Sequence, residues 1–244
     1  VVTALITELY PAMDLRGGRV VRLTKGDYDA ETVYGDDPIA VASSFADAGA
    51  VWVHVVDLDA ARSGDPVNRS VVAGIAAALA GRARLQNGGG VRSVDDARQL
   101  ADAGVDRVVM GSAAIREPEL VADVAAVVPV AVGLDHRDGE LATDGWTEGS
   151  GVRLADALGG FPDAAAFVIT DIGRDGMLTG PDVEGLTAAV GATGTPVIAS
   201  GGVASLDDVT TLAAIPGLAG VITGKALYEG RFTVADAVRA TEGG

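Results

Sequence analysis

Two stretches of the chain say nearly the same thing. LQNGGGVRSVDD (85–96) and VIASGGVASLDD (197–208) each read as a short strand that runs into glycines and then into a helix. The likeness extends beyond these corners. VDLDAARSGDP (56–66) aligns with TDIGRDGMLTGPD (170–182), and GGVRSVDDARQLADAGVDRVVMGSAA (89–114) with GGVASLDDVTTLAAIPGLAGVITGKAL (201–227). More loosely, AMDLRGGRV (12–20) echoes VGLDHRDGEL (132–141). The offsets are 121, 114, 112 and 113 residues, close to half of a 244-residue chain. A period that long is not a solenoid repeat. It fits two similar halves, about 1–121 and 122–244, closing on each other.

What the halves contain sets the fold class. Short apolar runs at 5–13, 50–58, 83–86, 106–111, 128–134, 165–170, 195–200 and 219–224 alternate with Ala-rich segments of helical length, such as DPIAVASSFADAGA and PVNRSVVAGIAAALAG. Apolar strands of four to eight residues between helices indicate βα units and a parallel sheet. Hydrophobic residues make up 48% of the chain and aromatics only 4%, a composition suited to parallel strands buried under helices. Eight units in this length predict an α/β fold of the (β/α)8 TIM barrel type, one domain built from two half-barrels. A doubly wound open sheet is the alternative, but it gives no reason for halves this alike.

In such a barrel the strand C-terminal ends carry the site. Read in order they give Asp14, Asp57, Asn87 to Gly90, Gly111–Ser112, Asp135, Thr170–Asp171, Ser200 to Gly202, and Gly224–Lys225. A phosphate needs several backbone N–H groups converging on it, at glycines and helix N-termini. Gly201, Gly202 and Gly224, with Ser200 and the charge of Lys225, make one such corner; Gly89, Gly90, Gly111 and Ser112 make its copy. Two corners on opposite sides of one mouth imply a ligand with a phosphate at each end; alternatively the glycines serve only as turns. Asp14 and Asp135 end strands one and five and face each other between the corners, which suits acid–base work, or each orders its own loop. Asp175 reaches the same centre or makes a plain turn; Thr170 donates a hydrogen bond or merely ends a strand. Trp146 stacks on a heterocycle or packs its loop, and Arg22 pairs with a ligand charge or is a solvated loop residue. Asp57 and Asp171, equivalent in the repeat, more simply orient loops or hold basic neighbours. His54, inside HVVDL, reads as a core histidine; His136 either touches the ligand or is exposed.

Composition closes off other functions. Cysteine is absent and histidines number two, which excludes disulfides, thiolate chemistry and a histidine-rich metal site. A formal net charge of −16 lacks the basic footprint that nucleic acid or an anionic membrane requires. The stretch VVTALITELYPAMD carries Glu8 and no basic region, so it reads as a poor signal peptide. No apolar run approaches the ~20 residues of a membrane helix. The expectation is a cytoplasmic protein, monomeric, acting on a small molecule.

PAMDLRGGRVVRL, HVVDLDAA, GGGVRS, GLDHRDGELATDGW, TDIGRDGMLTGPD, IASGGVAS and GKALYEGRFT together resemble the isomerase family of histidine biosynthesis over nearly the whole chain. The resemblance implies a barrel of two half-barrels, a substrate with two phosphoribosyl ends, and an Amadori rearrangement of an aminoaldose to an aminoketose without metal or organic cofactor. It also implies that the family's strand-one and strand-five aspartates fall on Asp14 and Asp135, and its strand-six threonine and loop aspartate on Thr170 and Asp175. Asp14 is expected to be the base and Asp135 the acid, with Asp175 as a competing acid. Two sister families differ at particular positions. The related cyclase has cysteine and serine where this chain has Met13 and Asp171. The bifunctional actinobacterial isomerase, which also rearranges phosphoribosyl anthranilate, has serine and arginine where this chain has Gly88 and Asp144. Asp144 would repel the anthranilate carboxylate. A phosphosugar-binding barrel without catalysis would have no need of facing acids. Asn87 stands where the family has an apolar residue, and nothing in the sequence explains it.

Overall fold

The computed structural model describes residues 7–24, 27–143, 145, 146 and 148–242. Eight parallel strands close into a barrel: β1 Glu8–Arg16, β2 Trp52–Asp57, β3 Arg84–Gly88, β4 Arg107–Met110, β5 Val130–Arg137, β6 Ala166–Asp171, β7 Val197–Ser200 and β8 Leu218–Thr223. Each pairs with its neighbour in chain order, and β8 pairs with β1 to complete the ring. The ring is closed, so it leaves no strand edge to guard.

Strand alternation sorts the side chains. On β1, Leu9, Met13 and Leu15 point outward into the layer beneath the helices, while Tyr10 and Ala12 point inward and pack against Trp52, Ala131, Ala166, Val168, Ile198 and Ile222. Toward the mouth the inward positions are small, with Ala12, Gly88 and Gly133 leaving room for a ligand. Toward the other end they are large. Tyr10 and Trp52 stack there with ring centroids 5.4 Å apart. Gly220 makes this possible, because a Cβ on it would run into the Tyr10 ring.

The same end holds a buried cation. Arg107 is 8% exposed. An unpaired buried charge is costly, and here it is distributed over several partners. Its Nε donates to Gln86 Oε1 (2.6 Å) and an Nη donates to the Tyr10 hydroxyl (2.8 Å). The guanidinium lies 4.2 Å from the Trp52 ring centroid, a cation–π arrangement. Glu8 closes the layer from below, accepting from Trp52 Nε1 (2.8 Å) and Arg84 (2.9 Å).

Two antiparallel ribbons interrupt the βα rhythm, where the sequence suggests loops. Strand β1 continues past Asp14 to Arg16, turns at Gly17–Gly18, and pairs with Arg19–Thr24, which pairs in turn with Asp27–Gly35. Strand β5 likewise continues to Arg137, turns at Asp138–Gly139, and pairs with Glu140–Thr143 and then Glu148–Arg153. Both turns have two central residues at positive φ: 54° and 76° in the first, 51° and 77° in the second. That geometry matches the twist of a two-residue hairpin.

Replacing Gly220 with Ala is expected to destabilise the fold by ~1–3 kcal/mol, the cost of overpacking a filled core. Urea denaturation would detect this as a lowered midpoint with an unchanged slope; an unchanged midpoint would mean that Tyr10 has space to move.

Candidate active site

The mouth opens into a cleft of about 700 Å³. Asp14, Arg22, Gly89, Gly90, Gly111, Ser112, Asp135, Trp146, Thr170, Asp175, Ser200, Gly201, Gly202, Gly224 and Lys225 all line it. The two facing aspartates, the loop aspartate and both glycine corners therefore face one space.

The two glycine corners match in backbone geometry. Gly89 and Gly201 have φ of 93° and 90°, and Gly90 and Gly202 have 75° and 84°. A Cβ on Gly201 would lie 2.9 Å from the carbonyl oxygen of Asp171, and one on Gly89 would collide with that of Asp57. Only glycine satisfies both the conformation and the approach. The helices do not start at the corners, however; they start four residues later, at Val94 and Leu206, capped by Ser93 and Ser205. Each capping serine accepts from the N–H of the second aspartate of its S-x-D-D run, at 3.1 and 3.2 Å. Gly111 and Gly224 do sit directly at helix starts, before Ser112–Arg116 and Lys225–Tyr228. Lys225 directs its ammonium to the carbonyl of Gly176 (2.8 Å) in the loop after β6, so its charge lies at the corner while its hydrogen bond ties two loops together.

Asp57 and Asp171 act on their own loops. Asp57 accepts from the N–H of Ala60 (3.0 Å) and from Asn68 (2.8 Å), and Asp171 accepts from the N–H of Gly173 (2.9 Å) and pairs with Arg174 (3.0 Å).

Arg22 is neither solvated nor a lone ligand partner. It is carried inward by the first ribbon, donating to Asp14 Oδ2 at 3.0 Å and to both oxygens of Asp175 at 3.2 and 3.3 Å. Burial raises the Asp14 carboxyl above its ordinary range; Arg22 opposes this and Asp175 adds to it. Burial raises Asp135 too; the hydrogen bonds from Trp146 Nε1, donating to Oδ2 at 2.8 Å, and from Thr170 oppose this, Asp175 adds to it, and His136 opposes it to a smaller extent. Trp146 itself sits at φ 73°, in the left-handed region. A bulky residue rarely occupies that region unless its surroundings hold it there. The two facing carboxylates thus have different electrostatic settings, one beside a cation and one beside neutral donors.

The structure adds residues that sequence reading missed. Arg62, Arg92, Arg116 and Tyr28 also line the cleft. They lie beyond the strand ends, where strand periodicity has nothing to say. Arg62 stacks over the Tyr28 ring at 4.7 Å. His54 is buried as expected of a core residue, with Nδ1 2.9 Å from Gln86 Nε2, yet it also lines the cleft. His136 is buried, neither exposed nor among the lining residues, and its Nδ1 has no hydrogen-bond partner among the described residues. Asn87 is buried too, with no partner for Oδ1 among the described residues, and nothing in the structure explains it. Asp144, on which discrimination against phosphoribosyl anthranilate was expected to turn, lies outside the described residues.

Replacing Arg22 with Gln should move the titration of Asp14 upward in pH, since a cation that favours the carboxylate is lost. Carbon NMR of the Asp14 carboxyl would follow it. A downward or absent shift would contradict the electrostatic description given above.

Comparison with known proteins bears on what such a cleft does. A family model described as "Histidine biosynthesis protein" matches residues 8–233. A protein of Rhizorhabdus wittichii is 48% identical over 241 residues, covering 96% of this chain and 98% of that one. One of Sphingopyxis alaskensis is 48% identical over 238 residues, covering 95% and 97%. One of Bacillus velezensis is 46% identical over 237 residues, covering 94% and 96%. All three bear the name 1-(5-phosphoribosyl)-5-((5-phosphoribosylamino)methylideneamino)imidazole-4-carboxamide isomerase.

Proposed function

The chain belongs to the family of histidine biosynthesis proteins, and we propose that its activity is that of the relatives named above: the Amadori rearrangement of the aminoaldose substrate to the aminoketose. The observation that carries this reading is the pair of facing carboxylates, Asp14 and Asp135, held in unlike settings in one cleft between two matching glycine corners. Their relation to the chemistry is direct. The reaction needs an acid to protonate the ribose ring oxygen and open the ring to a Schiff base. It then needs a base to take the C2′ proton, giving an enolamine that tautomerises to the ketone.

Asp14 is suited to be the base. Its ion pair with Arg22 favours the carboxylate, and that bond falls on Oδ2 rather than Oδ1. Asp135 is suited to be the acid, since burial favours its protonated form and the hydrogen bonds it accepts from Trp146 and Thr170 come from neutral donors. Asp175 would have to give up its ion pair with Arg22 before it could carry a proton. It fits better as the group that holds Arg22 in place. Thr170 orients Asp135, and Trp146 both orients it and lines the cleft. The glycine corners, with Ser112, Ser200 and Lys225, take the two phosphates, and the three arginines missed from the sequence add charge around them. Binding energy from these remote groups positions the sugar between the two acids.

The same reading makes the molecule two half-barrels, about 1–121 and 122–244, in one cytoplasmic monomer with no cofactor. The half-barrels are supported by the parallel geometry of the two corners and the two ribbons. Among the described residues no helix is long and apolar enough to cross a membrane.

The deciding experiment is turnover of the purified protein on the histidine-pathway aminoaldose, with Asp14→Asn and Asp135→Asn alongside. Each variant should lose ~10²-fold or more in kcat, the scale of lost acid–base help, with a much smaller change in substrate affinity. No turnover by the wild-type protein, or near-full turnover by either variant, would overturn the assignment. Phosphoribosyl anthranilate should be turned over little or not at all.

A further inference from the structure

The buried cation under the cleft has a consequence for His54. Arginine only donates hydrogen bonds, so the 2.6 Å contact between Arg107 Nε and Gln86 fixes the Gln86 oxygen toward Arg107. The other end of that amide, Nε2, only donates, and it lies 2.9 Å from His54 Nδ1. Nδ1 must therefore accept. A neutral imidazole carries a single N–H, and with Nδ1 accepting it has to be on Nε2. The imidazolium, with a proton on both nitrogens, would set two donors against each other at Nδ1. With Nδ1 committed to Gln86, Nε2 is the polar atom that His54 has left for the cleft it lines.

The location matters for the reaction. On β2, His54 is in register with Ala12, and the next inward position, Val56, is in register with Asp14. His54 thus projects from the strand beside β1, one inward step deeper than the proposed base. We propose that Gln86 and Arg107 are positioning residues that lock His54 as the Nε2–H tautomer, so that it meets a sugar oxygen of the bound aminoaldose as a neutral, pre-oriented donor at the floor of the cleft. This rests on the isomerase reading of the cleft. The electrostatics agree with the geometry: burial first, then Arg107 and Arg22, lower the His54 pKa to about 3. The charged groups around it are Arg107 beneath and Arg22 at the mouth, with Asp14, Asp135 and Asp175 lining the same cleft. A donor that is neutral and already oriented stabilises charge developing on oxygen without giving up a proton.

The chain has two histidines, so nitrogen NMR of histidine-labelled protein gives two rings to assign, with His136→Gln identifying each. The free protein should show His54 as the Nε2–H tautomer at neutral pH, and still neutral at about pH 5, where an ordinary histidine (~6.5) is mostly protonated. Saturation with the aminoketose product should shift its Nε2 signal. His54→Ala should lower kcat by ~10²-fold, the scale of one lost preorganised donor. His54→Gln, which keeps an acceptor and a donor, should recover part of that loss. Gln86→Glu, whose carboxylate would accept from both neighbours, should draw a proton to Nδ1 and lower kcat about tenfold or more with KM little changed. An Nδ1–H tautomer or an imidazolium in the wild-type protein at neutral pH refutes the lock. An Nε2 signal indifferent to product, or a His54→Ala variant with near-normal kcat, refutes the contact. The tautomer is read without turnover, so a wild-type protein lacking isomerase activity would sink the proposed function separately.

Discussion

The guanidinium of Arg22 holds the mouth of this barrel together. It spans a carboxylate on β1 and another on the loop after β6, at 3.0 and 3.2 Å, largely shielded from water. Removing one partner of such a group leaves the others buried with uncompensated charge. The placement of Asp14, the course of the β6 loop and the ribbon that delivers Arg22 are therefore mutually dependent. Lys225 reinforces the arrangement from β8 by donating to the carbonyl of Gly176, next to Asp175 in the same loop.

A second constraint operates below. The barrel interior is graded, with Tyr10, Trp52, Gln86 and Arg107 filling its lower part and alanine and glycine lining its upper part. Filling one end with large, hydrogen-bonded side chains gives the cleft a rigid floor, and His54 stands at the boundary between the two regions. A floor of this kind keeps water from entering beneath the ligand, which strengthens every electrostatic interaction above it.

Much of this was legible in the chain. Strand ends, glycine corners and aspartates are local signals, and the barrel's closure brings them to one rim, so reading the rim in order recovered residues that line the cleft. Other features were legible but were passed over. RGGR and RDGE are two-residue hairpin signals, hidden here because each follows a strand already assigned to a βα unit. The polar floor was not legible. Inward and outward parity can be read from alternation, but that Arg107 meets Tyr10, 97 residues away, depends on how strands tilt and stagger around the ring. The arginines of the cleft were equally hidden, since a charge on a short helix or a loop past a strand end looks like any solvated charge.

The repeat itself raises a last question, because acid–base chemistry requires two unlike groups and a repeat supplies like ones. Asp14 and Asp135 are equivalent in the repeat, as are the corners that flank them and the capping serines that follow. What differs is the cargo of the two ribbons. Each begins with the same kind of turn directly after its aspartate's strand, and each returns a side chain to that aspartate. The first returns Arg22, a cation; the second returns Trp146, a neutral donor. A cation stabilises the carboxylate, whereas a neutral N–H in a dry site opposes desolvation only in part, so the two acids, both raised by burial, are opposed by different partners. In the proposed mechanism the shared frame grips a substrate with two like ends, and the unlike ribbons decide which aspartate gives a proton and which takes one.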